Sequence, residues 1–383
     1  MKIAVIGAGI SGLTFAAAMK RFAPGTQVEL YERDVSATSR FQGYSLGIKG
    51  EGGLPVLKAL GLYDQLAEHA VRVTNFIFLD QRGKVLLELP STSDETRLTV
   101  RMKRHALKAA LLGAIGDTPI HSNMAAKSFR QSDGSVEVQF ENGQSASADY
   151  LVACDGVASA IRQQIVGDQK RYLGLTTILL DSPHLIHHPL LEGGYFFTMG
   201  DKGASLFCYR QPDSMHLSYT VHAASENDIT SQPPESLLKC VQEETKAWHS
   251  PIPEIVAKVD PASLVVRGYY DKEPIKRVRQ GRVWLVGDAA HPMCPFQGQG
   301  ANMAMLDALK LAQFFGELEK NPSDGEAKAA MLEQDIVTCG RKAVLESRNS
   351  ARQFHATSGF QRVMRNVGFQ MGNFFIWMAT KRK

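Results

Sequence analysis

Gly7, Gly9 and Gly12 stand at G-x-G-x-x-G spacing between the apolar run KIAVI (residues 2–6) and LTFAAAMKRF (13–22). Each has a reason to be glycine in a turn that cradles a dinucleotide. Gly7 allows a tight turn, Gly9 lets the backbone approach a pyrophosphate with no side chain in the way, and Gly12 lets a helix pack closely on a strand. The N-terminus of that helix offers unpaired N–H groups to phosphate, and Ser11 is counted with the same cradle. Glu32 follows twenty residues beyond Gly12, at the end of the alternating run QVELYE (27–32). An acid there accepts hydrogen bonds from a ribose, and Arg33 beside it joins the candidate site. Taken alone, the glycines also fit a purely structural turn. A secretory leader, suggested by Lys2 before the stretch Ile3–Ala18, needs neither the glycine spacing nor the acid and is rejected.

Two later stretches add candidates. DYLVACDG (149–156) runs as a strand into VASAIR, which sets Asp155, Gly156, Ser159 and Arg162 at fixed offsets. In GRVWLVGDAAHPMCPFQGQGANMAMLDA (281–308), Asp288 ends a buried strand, where its carboxylate is placed to accept a hydroxyl hydrogen from a ligand in the crevice there. Pro295 stiffens the turn that follows. Gly298 and Gly300 leave N–H groups bare where a helix begins at Ala301 and Asn302, and such a helix end stabilises a nearby anion. A strand-to-helix turn capped by Asp288, and a plain Asp-Gly turn at 155–156, remain as alternatives.

The trio of GAGISG with Glu32, DGVASAIR and GDAAHPMCPFQGQGAN resembles the FAD-dependent aromatic hydroxylase family, the class A flavin monooxygenases related to para-hydroxybenzoate hydroxylase, over essentially the whole chain. The resemblance implies FAD as cofactor and NADPH or NADH as a transient electron donor. It implies a C4a-hydroperoxyflavin formed with O2, and transfer of one oxygen atom to an aromatic or polycyclic small molecule. It places Arg104, in RMKRHALKAAL, at the arginine that begins a helix and touches the flavin, and it sets Asp155 near both FAD and the pyridine nucleotide. Residues 32–62 are similar to the tetracycline-inactivating branch, which makes a tetracycline substrate and an antibiotic-resistance role one version of the expectation. Arg40 matches that branch's arginine, whereas Gly47 stands where the branch carries an aspartate that touches FAD.

The elements that must position these residues form an α/β fold: a Rossmann-like FAD-binding domain, a substrate domain built on a mixed or antiparallel sheet, and C-terminal helices. The FAD-binding domain is expected to be discontinuous, made of residues 1–70, 95–165 and 275–325. Short alternating runs such as YLGLTTILL, GGYFFTM, ASLFCYR and MHLSYTVH place the substrate sheet in 71–94 and 166–274, with helices in 326–383. At 383 residues, with 44% hydrophobic and 21% charged, the chain reads as a globular protein of two domains. A net charge of +4 without a basic tract speaks against nucleic acid. Five scattered cysteines without C-x-x-C indicate neither disulfides nor zinc and suit a reducing cytoplasm. A monomer is expected, with no integral membrane segment. The stretch Phe360–Met378, which precedes Lys381-Arg382-Lys383, reads as a helix that closes a core or lies on a membrane surface.

His184, His187 and His188 sit in a Pro-flanked loop, and no metal is expected. Phe296 is expected in the wall of the substrate pocket, and Arg210 and His222, on strand-like runs, as holders of an anionic or enolic group; each equally suits core or cross-strand packing. No catalytic acid or base is called for, since the flavin carries the chemistry. Two rival readings share the fold: a flavin-dependent reductase or desaturase, and a non-catalytic FAD-binding protein.

Overall fold

The computed structural model describes residues 1–35, 45–90, 94–95 and 98–381, with the side chains of Pro90 and of 374–381 set aside. The chain divides into two compact units. One comprises residues 1–68, 102–171 and 270–348; the other comprises 69–101, 172–269 and 349–383. The helical segment 326–383 is therefore shared between them, within the helix Gly325–Phe354.

In the first unit a six-stranded sheet runs in the order Arg279–Gln280, Val283–Leu285, Tyr150–Ala153, Lys2–Ile6, Gln27–Tyr31, Ile120–His121. All neighbours are parallel except the first pair. KIAVI forms its centre because apolar and β-branched side chains suit a strand covered on both faces, and Ile3 to Ile6 are all buried. Ile6 lies opposite Ala153, and Ala153 opposite Leu285. Three parallel strands thus end at one edge, and the turns that follow them leave the sheet side by side. The order reverses at Lys2–Ile6, the switch point at which open α/β sheets bind ligands. The helix Ile10–Phe22 packs on Gly300–Lys320 so closely that a Cβ on Gly316 would stand 2.4 Å from the Phe22 carbonyl oxygen.

The second unit holds a seven-stranded sheet in the order Val265–Asp271, Arg171–Ser182, Met215–His222, Ser205–Arg210, Gly194–Met199, Asn75–Asp80, Val85–Pro90. The expected antiparallel pairing holds between Arg171–Ser182, Met215–His222, Ser205–Arg210 and Gly194–Met199, while Gly194–Met199 runs parallel to Asn75–Asp80. Alternation gives the sheet two unlike faces. Phe196, Leu206, Cys208, Leu217 and Tyr219 face the helices Pro234–Thr245 and Ile252–Val256 through Leu237, Leu238, Val241, Ile252 and Ile255. The other face carries Phe76, Phe78, Tyr195, Phe197, Phe207, Tyr209 and His216. Part of it is covered by Phe354 and Phe369, whose rings lie 5.7 and 5.4 Å from Phe78. The helix Pro234–Thr245 went unread in the sequence, although Leu237, Leu238, Val241 and Thr245 recur at helical spacing.

Candidate functional site

At the carboxyl edge of the first unit's sheet the three glycine-bearing turns interlock. Gly7 has φ +98°, and a Cβ there would lie 2.5 Å from the Cys154 carbonyl oxygen. A Cβ on Gly12 would lie 2.0 Å from the Gly7 carbonyl oxygen, and one on Gly287 3.1 Å from Ser11 Oγ. Ser11 Oγ in turn donates to Cys154 Sγ at 3.4 Å. Gly9 differs from its companions: a Cβ there meets nothing within 4 Å. It ends the helix Ile10–Phe22 with no side-chain cap, so the first-turn N–H groups stay available. Glu32, buried at the next strand's end, accepts from Ala8 N (2.7 Å) and Asp34 N (3.0 Å) and keeps lone pairs to spare. Arg33 is exposed, 3.9 Å from Asp34.

Asp155 follows the strand Tyr150–Ala153, with its Oδ1 buried and without a hydrogen-bond partner. Burial pushes its carboxyl up to about 6, against the pull of the Ser159 hydroxyl and the backbone N–H groups that open the helix Ala160–Val166. Arg162, fully buried, ties this motif to the next. Its Nε reaches both Asp168 oxygens at 3.1 Å, its Nη1 donates to the Ala290 carbonyl at 2.5 Å and its Nη2 to the Glu273 carbonyl at 2.8 Å.

Asp288 sits on the short 3-10 turn Gly287–Ala289, three residues beyond the strand end. It has open surface on one side and dense protein around it, as befits a carboxylate lining a recess. Desolvation raises its pKa, opposed by His291 and by Arg104, the first residue of the helix Arg104–Ile115. The turn is held by a pair absent from the expectations. Asp307 Oδ2 accepts from Gly287 N at 3.3 Å and lies 2.5 Å from His291 Nε2. Burial alone would lower the pKa of His291, but Asp307 outweighs it and holds the ring above its ordinary value.

Pro295 opens a second 3-10 turn, Pro295–Gln297, which contains half-buried Phe296 and ends at Gly298 in the left-handed region (φ +58°). The long helix then starts at Gly300, where a Cβ would lie 3.8 Å from Asp288 Oδ1. The side chain of Asn302 has a separate role from the helix-end N–H groups expected to meet the cofactor. Its Oδ1 accepts from Lys49 N (2.8 Å) and Gly53 N (2.9 Å), and its Nδ2 donates to the Gly47 and Gly298 carbonyls (both 2.9 Å). That amide is spent on stapling loops together, and the backbone N–H groups of Gly300, Ala301 and Asn302 remain for a ligand. Lys49, also unforeseen, donates from Nζ to the Gln297 carbonyl at 2.8 Å. Arg40 lies outside the described residues.

Residues 1–335 match the FAD binding domain family. The chain belongs to that family. It is an FAD-dependent oxidoreductase, as the three motifs implied, and FAD is its cofactor. This flavoprotein is 28% identical over 378 residues to the 3-amino-4-hydroxybenzoate 2-monooxygenase of Streptomyces cremeus, covering 94% of its own chain and 89% of the relative. Its fold is similar to that of Klebsiella pneumoniae HpxO complexed with FAD and uric acid, with a TM-score of 0.84 and 24% identity over 97% of this chain and 93% of that one. For tetracycline destructase Tet(51) the TM-score is 0.65, with 22% identity over 98% and 97% of the two chains. The residues present fit FAD: an open cradle at Gly9, an unpartnered buried oxygen on Asp155, and a recessed carboxylate on Asp288 beside a bare helix N-terminus.

In the second unit of the flavoprotein the register separates two expected substrate residues. Arg210 pairs with Met215 and belongs to the face that bears Cys208 and Leu217, whereas His222 shares the aromatic face. They are not brought together, because residues of opposite parity on a strand point to opposite faces. His222 Nε2 lies 2.9 Å from the His355 carbonyl oxygen. The aromatic face carries an arginine that the sequence reading missed. Arg101, buried on the strand Thr99–Lys103, lies 3.8 Å from the Tyr209 ring centroid and 5.2 and 5.8 Å from those of Phe207 and Tyr195. Its only trace in the sequence is the alternation of aromatics in GGYFFTM and SLFCYR. Among the described residues no group of three His, Cys, Asp or Glu could hold a metal, and no helix is long and apolar enough to cross a membrane.

Proposed function

We propose that this chain is an NADPH- or NADH-consuming FAD monooxygenase that inserts one oxygen atom from O2 into an aromatic or polycyclic small molecule. The observation that carries the reading is the convergence of the Gly7–Gly12 turn, Asp155 and the Gly287–Asp288 turn at one edge of one parallel sheet. FAD held there would supply the redox chemistry, hydride acceptance and O2 activation, for oxygen transfer to an electron-rich ring. The chain's own groups bind and orient. First-turn N–H groups after Gly9 receive the pyrophosphate, Glu32 a ribose, and Asp288 a ribityl hydroxyl. The N–H groups of Gly300, Ala301 and Asn302, with Arg104 near Asp288, would favour negative charge on a ring system held there. Asp155 keeps a proton at its carboxyl below about pH 6.

The substrate reading draws on the relatives, one named for an aminohydroxybenzoate and another crystallised with uric acid. The second unit suits such rings with a sheet face of Phe76, Tyr195, Phe207 and Tyr209, rings that stack, beside the Arg101 cation, which attracts an anionic substituent. A tetracycline is the polycyclic case, supported by the likeness to Tet(51).

The test is turnover of a panel of phenols, aminobenzoates, purines and tetracyclines with NADPH or NADH under isotopically labelled O2, read by mass spectrometry. One labelled oxygen atom in the product is the expected result. A product formed without O2 uptake identifies a reductase or desaturase, and absence of turnover with every donor identifies a non-catalytic flavoprotein.

A further inference from the structure

The helix Gly359–Lys381 has an inward face that is well engaged. Phe369 stacks on Phe78 at 5.4 Å, Arg365 Nη1 donates to the Phe354 carbonyl at 3.5 Å, Arg362 pairs with Asp201 at 3.6 Å, and Asn373 Oδ1 accepts from Glu88 N at 3.4 Å. The opposite face carries an apolar stripe that packing does not use. Phe360 is 76% exposed, Val363 60%, Met364 55%, Val367 44% and Met371 55%. These positions recur at i, i+3, i+4, i+7 and i+11, which places them in one narrow band about 17 Å long at 1.5 Å per residue. Five of the exposed large hydrophobic residues of the described chain gather on this single helix, whereas scattered ones call for no explanation.

Charge identifies the occupant. From residue 359 to 383 there is no Asp or Glu, and every charged residue is basic: Arg362, Arg365, Lys381, Arg382 and Lys383. The two internal arginines are used inward, and the sequence adds three further positive charges at Lys381-Arg382-Lys383 with no acidic offset. The same segment reads FFIWM at 374–378, the aromatic and aliphatic types that settle at a headgroup boundary. Helices that pair with a second copy fix their register with charges of both signs, and this one has a single sign. We propose that the outward face of the helix Gly359–Lys381 docks the enzyme on an anionic lipid surface, lying in the interface rather than crossing it.

Flotation of the FAD-loaded, full-length enzyme with phosphatidylcholine vesicles, with and without phosphatidylglycerol, tests this. The enzyme is expected to float with the anionic vesicles and to be released by high salt. The double variant Val363→Glu/Met364→Glu, at exposed positions, is expected to bind at least about tenfold more weakly while its FAD absorbance is unchanged. Lys381→Gln/Arg382→Gln/Lys383→Gln should lose the preference for anionic vesicles. Absence of flotation, equal flotation with neutral vesicles, or undiminished binding by the double variant overturns the proposal. So does self-association abolished by the double variant without vesicle binding, which assigns the stripe to a second copy.

Discussion

At the carboxyl edge of the first unit's sheet, atoms of the main chain fill one another's space. Gly7 sits against the Cys154 carbonyl and Gly12 against the Gly7 carbonyl. The aromatic face of the second unit's sheet is instead made of side chains, Phe76, Tyr195, Phe207 and Tyr209 with Arg101, on a backbone that any strand could supply. A site built from backbone tolerates almost no added atom, whereas a face built from side chains can be retuned residue by residue. The sharpest way to break that comparison is a pair of substitutions within one motif. Gly12→Val forces a Cβ to 2.0 Å from a carbonyl oxygen, and a loss of upward of about 4 kcal/mol, with little soluble protein, is expected. Gly9→Val places its side chain in open space, so circular dichroism should report a folded protein that retains no FAD. Equal flavin content in the Gly9 variant and the parent would sink the assignment of that space to the cofactor.

Arg162 sharpens the same contrast from the other direction, since here a side chain belongs to the backbone edge. Six hydrogen bonds from its side chain end on Asp168 or on main-chain carbonyls, and it has no exposed surface. Arg162→Met leaves the Asp168 carboxylate, which burial raises but Arg162 and Lys272 hold below its ordinary value, without its main partner. Urea denaturation should show a loss of about 3 kcal/mol, the scale for breaking a buried pair. Adding Asp168→Asn should recover part of that loss, because the penalty lies in the uncompensated charge. No recovery would mean that the carbonyl contacts to Ala289 and Ala290 dominate.

The two regions also differ in how far they could be read in advance. Gly7, Gly12, Asp155 and Asp288 were legible because a backbone that must turn, approach and pack leaves glycine and aspartate at fixed spacings, and the strands that carry them are continuous apolar runs. The residues of the second unit's sheet were not. Arg210 and His222 both stand on correctly placed strands, yet parity across the register sends them to opposite faces. That register is set by pairing with strands far away in the chain, which no local pattern records. Arg101 was missed for the same reason: its three ring partners come from two other strands. The stapling role of the Asn302 side chain was not legible, since the amide's four backbone partners lie at Lys49, Gly53, Gly47 and Gly298. His291 and Asp307 stand sixteen residues apart on a turn and a helix, a separation at which only the fold reveals the pair.

Asp155 gives a pH-dependent version of the comparison. Its folded pKa of about 6 lies above the ordinary 3.8, so the folded state binds the proton more tightly than the unfolded chain. The stabilisation is therefore complete below about pH 4, falls as pH rises toward 6, and is gone above it. The shift corresponds to about 2–3 kcal/mol. In the apoprotein, Asp155→Asn should flatten the stability curve between pH 4 and 6 and leave the variant more stable than the parent at neutral pH. A parent curve without slope in that window would show that the carboxyl is not held in a desolvated position.

The smallest effect is expected on the side-chain face. Arg101→Met removes a cation from over three rings but leaves the strand pairing of Arg101 with Val71 intact. A cation–π contact of this kind contributes about 1 kcal/mol, so KM for an anionic ring substrate should rise about fivefold, with kcat and FAD content nearly unchanged. Arg101→Lys should fall between the two, since it keeps the charge but loses the flat guanidinium that lies along the Tyr209 ring. A neutral substrate separates the contributions: its KM should not respond to the charge, so any rise measures packing alone. If Arg101→Met instead released FAD as readily as Gly9→Val, this face would belong to the cofactor's support rather than to substrate recognition, and the division between a backbone-built and a side-chain-built region would fail.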